Sequence, residues 1–214
     1  MRLMEAVLNL LYPRGCVCVL CEREAATVRD VCADCALAVR ACAQVAPPKG
    51  IAGFRAGLCY TTPVRGALHR FKYGRQTYLA DFFASRMPDF TNWPIDAILP
   101  VPLHPERLRR RGFNQSELLC ERLGARAGLP VRTDILYRKK QTQTQTALNK
   151  KAREQNVKDA FAAKNCADLC LLLVDDVCTT GSTLCACAAA LTKAGAGSVY
   201  AMTAVYRDGQ ADTR

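Results

Sequence analysis

No run of about 18 apolar residues occurs in the 214-residue sequence, so it offers no candidate membrane span. The opening MRLMEAVLNLLYP is interrupted by Glu5 and Asn9 and lacks a small-residue cleavage site, which argues against a secretory signal. The pattern G-x-x-x-x-G-K-S/T is missing, which excludes a Walker-type nucleoside triphosphatase. No internal repeat is visible, and low complexity is confined to QTQTQT at 141–146. Acids are scarce as well. Nineteen Asp and Glu face thirty Lys and Arg, a formal charge of +11 that points to polyanionic partners such as phosphate or nucleic acid. What the chain has in plenty is cysteine, thirteen in all. A chain of this length buries roughly 70% of its unfolded surface and folds without disulfide staples. The expectation is a cytosolic protein whose thiols stay reduced, where clustered cysteines are metal ligands more often than disulfide partners.

Charge and cysteine are unevenly distributed. Residues 1–45 carry five Arg and five acids, so this stretch is neutral, yet it holds six of the thirteen cysteines. Ala46-Pro47-Pro48-Lys49-Gly50 is Pro/Gly punctuation and marks a boundary, giving an amino-terminal helix and cysteine module (1–45), a linker (46–53) and a larger domain (54–214). Beyond the linker, short apolar runs alternate with amphipathic segments, the pattern of βαβ units around a parallel sheet. Residues 95–101, 169–174 and 198–205 read as buried strands, and 63–73, 76–87, 114–127 and 182–194 as helices.

Cys18-Val19-Leu20-Cys21 and Cys32-Ala33-Asp34-Cys35 are two C-x2-C knuckles separated by ten residues. Two tight turns, each with a pair of thiolates, meet the need of tetrahedral Zn2+ for four soft ligands at ~2.3 Å, and such closed sites are structural. Small buried cysteines acting as hydrophobes do not call for paired spacing. Cys16 in place of Cys18, or Cys42 in place of one of the second pair, are alternatives that the spacing leaves open.

The run LLLVDDVCTTGSTL at 171–184 is the sharpest segment. An apolar strand leads into Asp175 and Asp176, then a Thr/Gly/Ser loop, then an Ala-rich helix. A loop at the carboxyl end of such a strand presents N–H groups and hydroxyls to an anion, the helix dipole assists, and Gly181 lets the backbone approach the ligand. The two acids repel phosphate, so they serve something beside it, such as sugar hydroxyls or a divalent ion.

This run resembles the phosphoribosyl diphosphate (PRPP) signature of type I phosphoribosyltransferases. The resemblance implies an α/β doubly wound parallel sheet with the ligand at the carboxyl ends of its strands, preceded here by the small four-cysteine zinc module. It implies that Asp175 and Asp176 are the catalytic pair holding the ribose 2′ and 3′ hydroxyls. Val174 and Thr179, Thr180, Gly181, Ser182 and Thr183 would then cradle the 5-phosphate, with Mg2+ accompanying PRPP. Pro100-Val101-Pro102-Leu103-His104, the stretch Arg109 to Ser116 containing RGFNQ, and Arg153, Asn156, Val157 and Phe161 are similar to elements of the ComF/GntX competence-protein family. So is the four-cysteine module in front of the transferase-like domain. That family implies a role in natural transformation: binding single-stranded DNA, assisting its import into the bacterial cytoplasm or at the inner face of the inner membrane, and acting with a helicase-like partner in some species. The extra Cys16 and the small Cys178 depart from the family pattern.

Pro100-Val101-Pro102 ends a strand in a stiff, extended turn, a place where backbone groups at Val101 and Pro102 can meet a pyrophosphate, with Arg111 closing over it. Arg107, Arg109, Arg110 and Arg111 make a dense cationic loop, and two further clusters lie in 46–80 and 138–153. Together they supply far more cations than one PRPP requires. Lys72, Arg75, Arg109, Arg110, Arg111, Lys139, Lys140, Lys150, Lys151 and Arg153 are therefore candidate contacts to single-stranded DNA, with Phe71, Tyr73, Tyr78 and Phe113 interleaved as stacking or core residues. The alternative from the enzyme class is an active transferase moving ribose 5-phosphate from PRPP to a base or amine. A zinc-ribbon transcription factor fits less well, because the cysteine module itself is neutral.

Overall fold

The side chains of the apolar run Leu171 to Val174 alternate between two hydrophobic cores, and that alternation organises the molecule. A computed structural model describes residues 17–23, 30–42, 45–139 and 160–207. In chain order the elements are α1 (Ala33–Ala38), β1 (Gly53–Cys59), α2 (Thr62–Tyr73), α3 (Leu79–Arg86), β2 (Ala97–Pro100), α4 (Pro105–Arg111) and α5 (Gln115–Ala127). After these come β3 (Leu136–Arg138), β4 (Phe161–Ala163), β5 (Cys170–Cys178), α6 (Ser182–Lys193) and β6 (Ser198–Tyr206). Strands β1-β6-β5-β2 form a sheet in that order with every pairing parallel, and β3-β4 form a separate antiparallel ribbon.

Parallel central strands are covered on both faces and so read as unbroken apolar runs rather than alternating ones. Leu172, Val174, Met202 and Ala204 face one core, built with Leu68 and Phe71 of α2, Phe83 of α3 and Leu119 of α5. Leu171, Leu173, Val199 and Ala201 face the other, with Leu184, Cys187 and Leu191 of α6 and Leu136 and Phe161 of the ribbon. This is the expected doubly wound arrangement. Cys18, Leu20, Val31 and Cys35 of the cysteine segment lie in the first core, beside Leu58, Leu68 and Phe71. Leu58 also forms an antiparallel bridge with Ala41, so the amino-terminal segment adds to the β1 edge of the sheet.

Helix boundaries follow local chemistry. Pro63 stands in the first turn of α2 and Pro105 in that of α4, where the missing N–H costs nothing. Asn114 caps α5 by accepting from Ser116 N at 3.1 Å, and Gly112 (φ 83°) ends α4 in the left-handed region. Four expectations need adjustment. The strand expected over 169–174 runs to Cys178 and carries the acids within it, because Asp175 still pairs with Thr203 of β6. The strand expected over 95–101 is shorter, Ala97–Pro100, and the helix expected over 76–87 begins at Leu79 after a turn closed by Leu79 N to Gln76 O. The cationic loop is a helix, α4. Strand β1 was not anticipated, since GFRAGLC mixes small, charged and apolar residues without clear alternation. Among the described residues no helix is long and apolar enough to cross a membrane.

Candidate functional site

Register decides where the acids stand. Pro100, the last residue of β2, pairs with Val174, so β2 stops one residue before Asp175 and leaves a crevice at the carboxyl ends of the strands. Asp175 Oδ1 accepts from Ser116 Oγ at 3.0 Å and from Asp176 N at 2.8 Å. Burial, with the neighbouring Asp176 charge adding to it, pushes the Asp175 carboxyl up to about 7. Asp176 is buried and its Oδ1 lies 2.9 Å from Lys72 Nζ. Asp176 thus has a cation beside it, while Asp175 holds its proton more readily than an ordinary aspartate.

The stretch RGFNQS holds this crevice together. Asn114 Nδ2 donates to Val101 O at 3.1 Å, fixing the turn after β2, while Val101 N donates to Val174 O at 2.9 Å. Gln115, fully buried, accepts from Arg111 Nη1 at 2.9 Å and donates to Phe71 O at 3.3 Å. Arg111 is itself buried; its Nη2 donates to Tyr73 Oη at 3.2 Å and its guanidinium lies 4.8 Å from the Tyr73 ring centroid. Arg111 therefore braces α2 against α5 rather than lying open at the surface. The sequence offers Lys72 and Asp176 as candidate site residues but does not reveal that they pair, nor that Ser116 joins Asp175. No local spacing reports them, because each joins segments distant in sequence.

The loop after β5 is open where an anion needs it. Thr179, Thr180 and Ser182 are exposed, Thr183 is half-buried, and Gly181 adopts φ 73° as N-cap of α6. Thr180 Oγ1 donates to Ser182 Oγ at 3.1 Å. Cys178 is buried beneath the loop, and Pro48 of the linker crowds Gly181 so closely that an added Cβ would sit 3.0 Å from Pro48 Cγ. Of the candidate nucleic-acid contacts, Arg75, Arg109, Arg110 and Lys139 are exposed. Arg110 lies 5.9 Å from the Tyr73 ring centroid. Burial and then nearby Arg107 hold the Arg138 guanidinium below its usual range. Lys140, Lys150, Lys151 and Arg153 lie outside the described residues. Phe71 is buried and Phe113 packs against the same core, whereas Tyr73 and Tyr78 are exposed.

Cys18, Cys21, Cys32 and Cys35 bring their sulfurs within 4.8 Å of one another. A tetrahedron with ~2.3 Å metal–sulfur bonds has sulfur–sulfur edges of about 3.8 Å, and Cys21 Sγ to Cys32 Sγ measures 3.8 Å. The four residues are thus compatible with a metal site. Burial would raise the Cys18 thiol, but backbone N–H groups at Cys32, Cys21 and Leu20 outweigh it and bring Cys18 down to about 6, a thiolate ready for a cation. Cys42 is elsewhere, its sulfur 3.6 Å from that of Cys59. Cys16 lies outside the described residues.

Comparison with known proteins agrees with this geometry. The phosphoribosyl transferase domain family matches residues 109–213, a stretch that begins inside α4 and leaves the cysteine cluster, α2 and Lys72 outside it. The DNA utilization protein YhgH of Salmonella typhi is 32% identical over 212 residues, covering 86% of this chain and 93% of that protein. Competence protein F of Haemophilus influenzae is 40% identical over 139 residues, covering 58% of this chain and 60% of its own. Competence protein ComFC of Bacillus subtilis is 30% identical over 202 residues, covering 89% and 78% respectively.

Proposed function

Since the chain belongs to the ComF family of competence and DNA-utilization proteins, with a phosphoribosyl transferase domain matched over residues 109–213, we propose that it binds single-stranded DNA and assists its import. The observation that carries this reading is the run of arginines on α4, where Arg109 and Arg110 are exposed and Arg107 is near enough to Arg138 of the ribbon to lower its guanidinium. Arg110 also lies 5.9 Å from the exposed ring of Tyr73 on α2. Such a cluster repels itself unless a polyanion neutralises it. The Thr179–Thr183 loop then takes a phosphate, from PRPP or from the strand, and the crevice at Asp175 and Asp176 takes the attached sugar. Zn2+ at the four cysteines is structural, and the work takes place in the cytoplasm.

The test is fluorescence anisotropy with a labelled single-stranded oligothymidine at several salt concentrations. Tight binding that falls steeply between about 50 and 200 mM salt supports the reading, since several phosphate contacts demand such a slope. Weak binding with almost no salt dependence overturns it. A second reading, an active transferase, is favoured by the open hydroxyl loop beside two carboxylates. Pyrophosphate release from PRPP that disappears in an Asp175→Ala, Asp176→Ala double variant would support it, and release that persists there would refute it.

A further inference from the structure

A cleft of about 440 Å³ lies beside the phosphate loop but not within it, between α2 and the ends of β5 and β6. Arg65, His69, Lys72 and Tyr73 project into it from one face of α2, Tyr60 and Arg207 close its other side, and no carboxylate lines it. The spacing i, i+4, i+7, i+8 is what puts those four α2 side chains on one helical face. Thr179, the first residue of the phosphate loop, borders the cleft and makes the two spaces continuous. The domain match spans residues 109–213, so α2 and its cationic face lie outside the matched stretch.

We propose that this cleft is a nucleotide subsite that takes one base and its phosphate from a single DNA strand, with Lys72 shared between that phosphate and Asp176. The proposal rests on the single-strand reading above and says where one unit of the strand sits. Three features support it. Arg65 and Arg207 line the cleft with no acid among the lining residues, and Lys72 lines it with its charge shared with Asp176 at 2.9 Å. Tyr73 is 52% exposed, yet its ring is fixed, by buried Arg111 at 4.8 Å and by His69 at 4.9 Å between centroids. An exposed ring whose position is fixed by its neighbours stacks a base at little entropic cost. The volume lies in the range of small-ligand sites, roughly 300–1,000 Å³, and suits one nucleotide rather than a duplex. Gly66 lines the cleft and keeps it open, for a Cβ there meets nothing nearer than 3.7 Å.

The experiment compares the full chain with Gly66→Leu, Arg65→Glu and Tyr73→Leu variants, using labelled oligothymidine and, separately, thymidine 5′-monophosphate and deoxyribose 5-phosphate as competitors. Gly66→Leu adds bulk to the cleft without altering charge, where a Cβ meets nothing nearer than 3.7 Å, and a melting curve matching the wild type's checks that the variant is folded. The expected result is a loss of oligothymidine affinity of tenfold or more in Gly66→Leu and Arg65→Glu. Thymidine 5′-monophosphate should also compete better than the base-free sugar phosphate, an advantage lost in Tyr73→Leu. If the wild type binds the oligonucleotide but all three variants bind within twofold of it, the subsite is overturned while the single-strand reading survives. If the wild type itself fails to bind, both fall together.

Discussion

The ammonium of Lys72, on the last turn of α2, lies 2.9 Å from Oδ1 of Asp176, within the signature strand β5. Both side chains are largely withdrawn from water, 18% and 9% exposed. A pair of this kind contributes little compared with apolar replacements, but removing one partner strands the other. Lys72→Met should therefore destabilise the fold by about 2 to 3 kcal/mol, and Asp176→Asn by a similar amount, whereas the double variant should recover most of the loss. Urea unfolding of the four proteins checks this; additive losses would show that the two groups do not interact.

Asp175 makes stability depend on pH in an unusual direction. Its folded carboxyl is raised to about 7, above the ordinary 3.8, so the native state keeps a proton that the unfolded chain gives up near pH 4. The contribution is complete below about pH 4 and drains away as pH climbs to about 7, with a limiting slope of about 1.4 kcal/mol per unit. Asp175→Asn should flatten the profile over that window and be the more stable protein at pH 8. A wild-type curve with no decline from pH 4.5 to 7.5 would contradict the assignment.

Ser116→Ala tests the same carboxyl from the side of its donor. The Ser116 hydroxyl favours the charged form of Asp175, so its removal should move the titration upward and lower affinity for any ligand that needs the carboxylate. Carbonyl-region NMR of selectively labelled aspartate reads the titration directly. An unchanged midpoint would mean that this hydrogen bond is not populated in solution.

The acids, the hydroxyl loop and the paired knuckles were legible because each is contiguous, and chemistry that repeats at short spacing shows in a single line of text. The partners of the acids were not. Ser116 meets Asp175 across 59 residues, and such a pairing is set by packing of α5 on β5 rather than by any local pattern. Arg109, Arg110 and Arg111 looked alike as a run of charge. The helix separates them, leaving two exposed and turning the third inward against Gln115 and Tyr73. Strand β1 escaped because its pattern mixes Gly53, Arg55 and Gly57 with apolar residues, and its strand character comes from pairing with β6.

Metal analysis should find one tightly held ion per chain, lost in Cys18→Ser and Cys35→Ser but retained in Cys42→Ser and Cys59→Ser. Because Cys18 and Cys35 are core residues, stripping the ion with a chelator should lower the melting temperature by ~5 °C or more. Metal-free protein with an unchanged melting curve would remove the cluster from the list of structural devices.

Gly181→Ala places a side chain at φ 73° and 3.0 Å from Pro48 Cγ. The backbone strain costs about 1 to 2 kcal/mol, and the displaced linker should weaken phosphate binding at the loop. Calorimetric titration with inorganic phosphate and with PRPP measures the second effect; affinity equal to the wild type for both would show that the loop is not the anion site.

Arg70 ties α2 to the cysteine segment through bonds of 2.7 and 3.0 Å to the carbonyls of Val19 and Leu20, while Lys72 in the same turn reaches Asp176. One helix thus has the cysteine knuckles on one flank and the acidic pair on the other, with Leu58 and Phe71 in the core beneath. Cutting the gene near residue 46 would not release a self-sufficient carboxyl-terminal part; it would bare an apolar wall and loosen the helix that aims Lys72. Oxidation of the knuckle thiols would act on the same helix, so a redox insult at one end of the molecule should register as altered ligand affinity at the other.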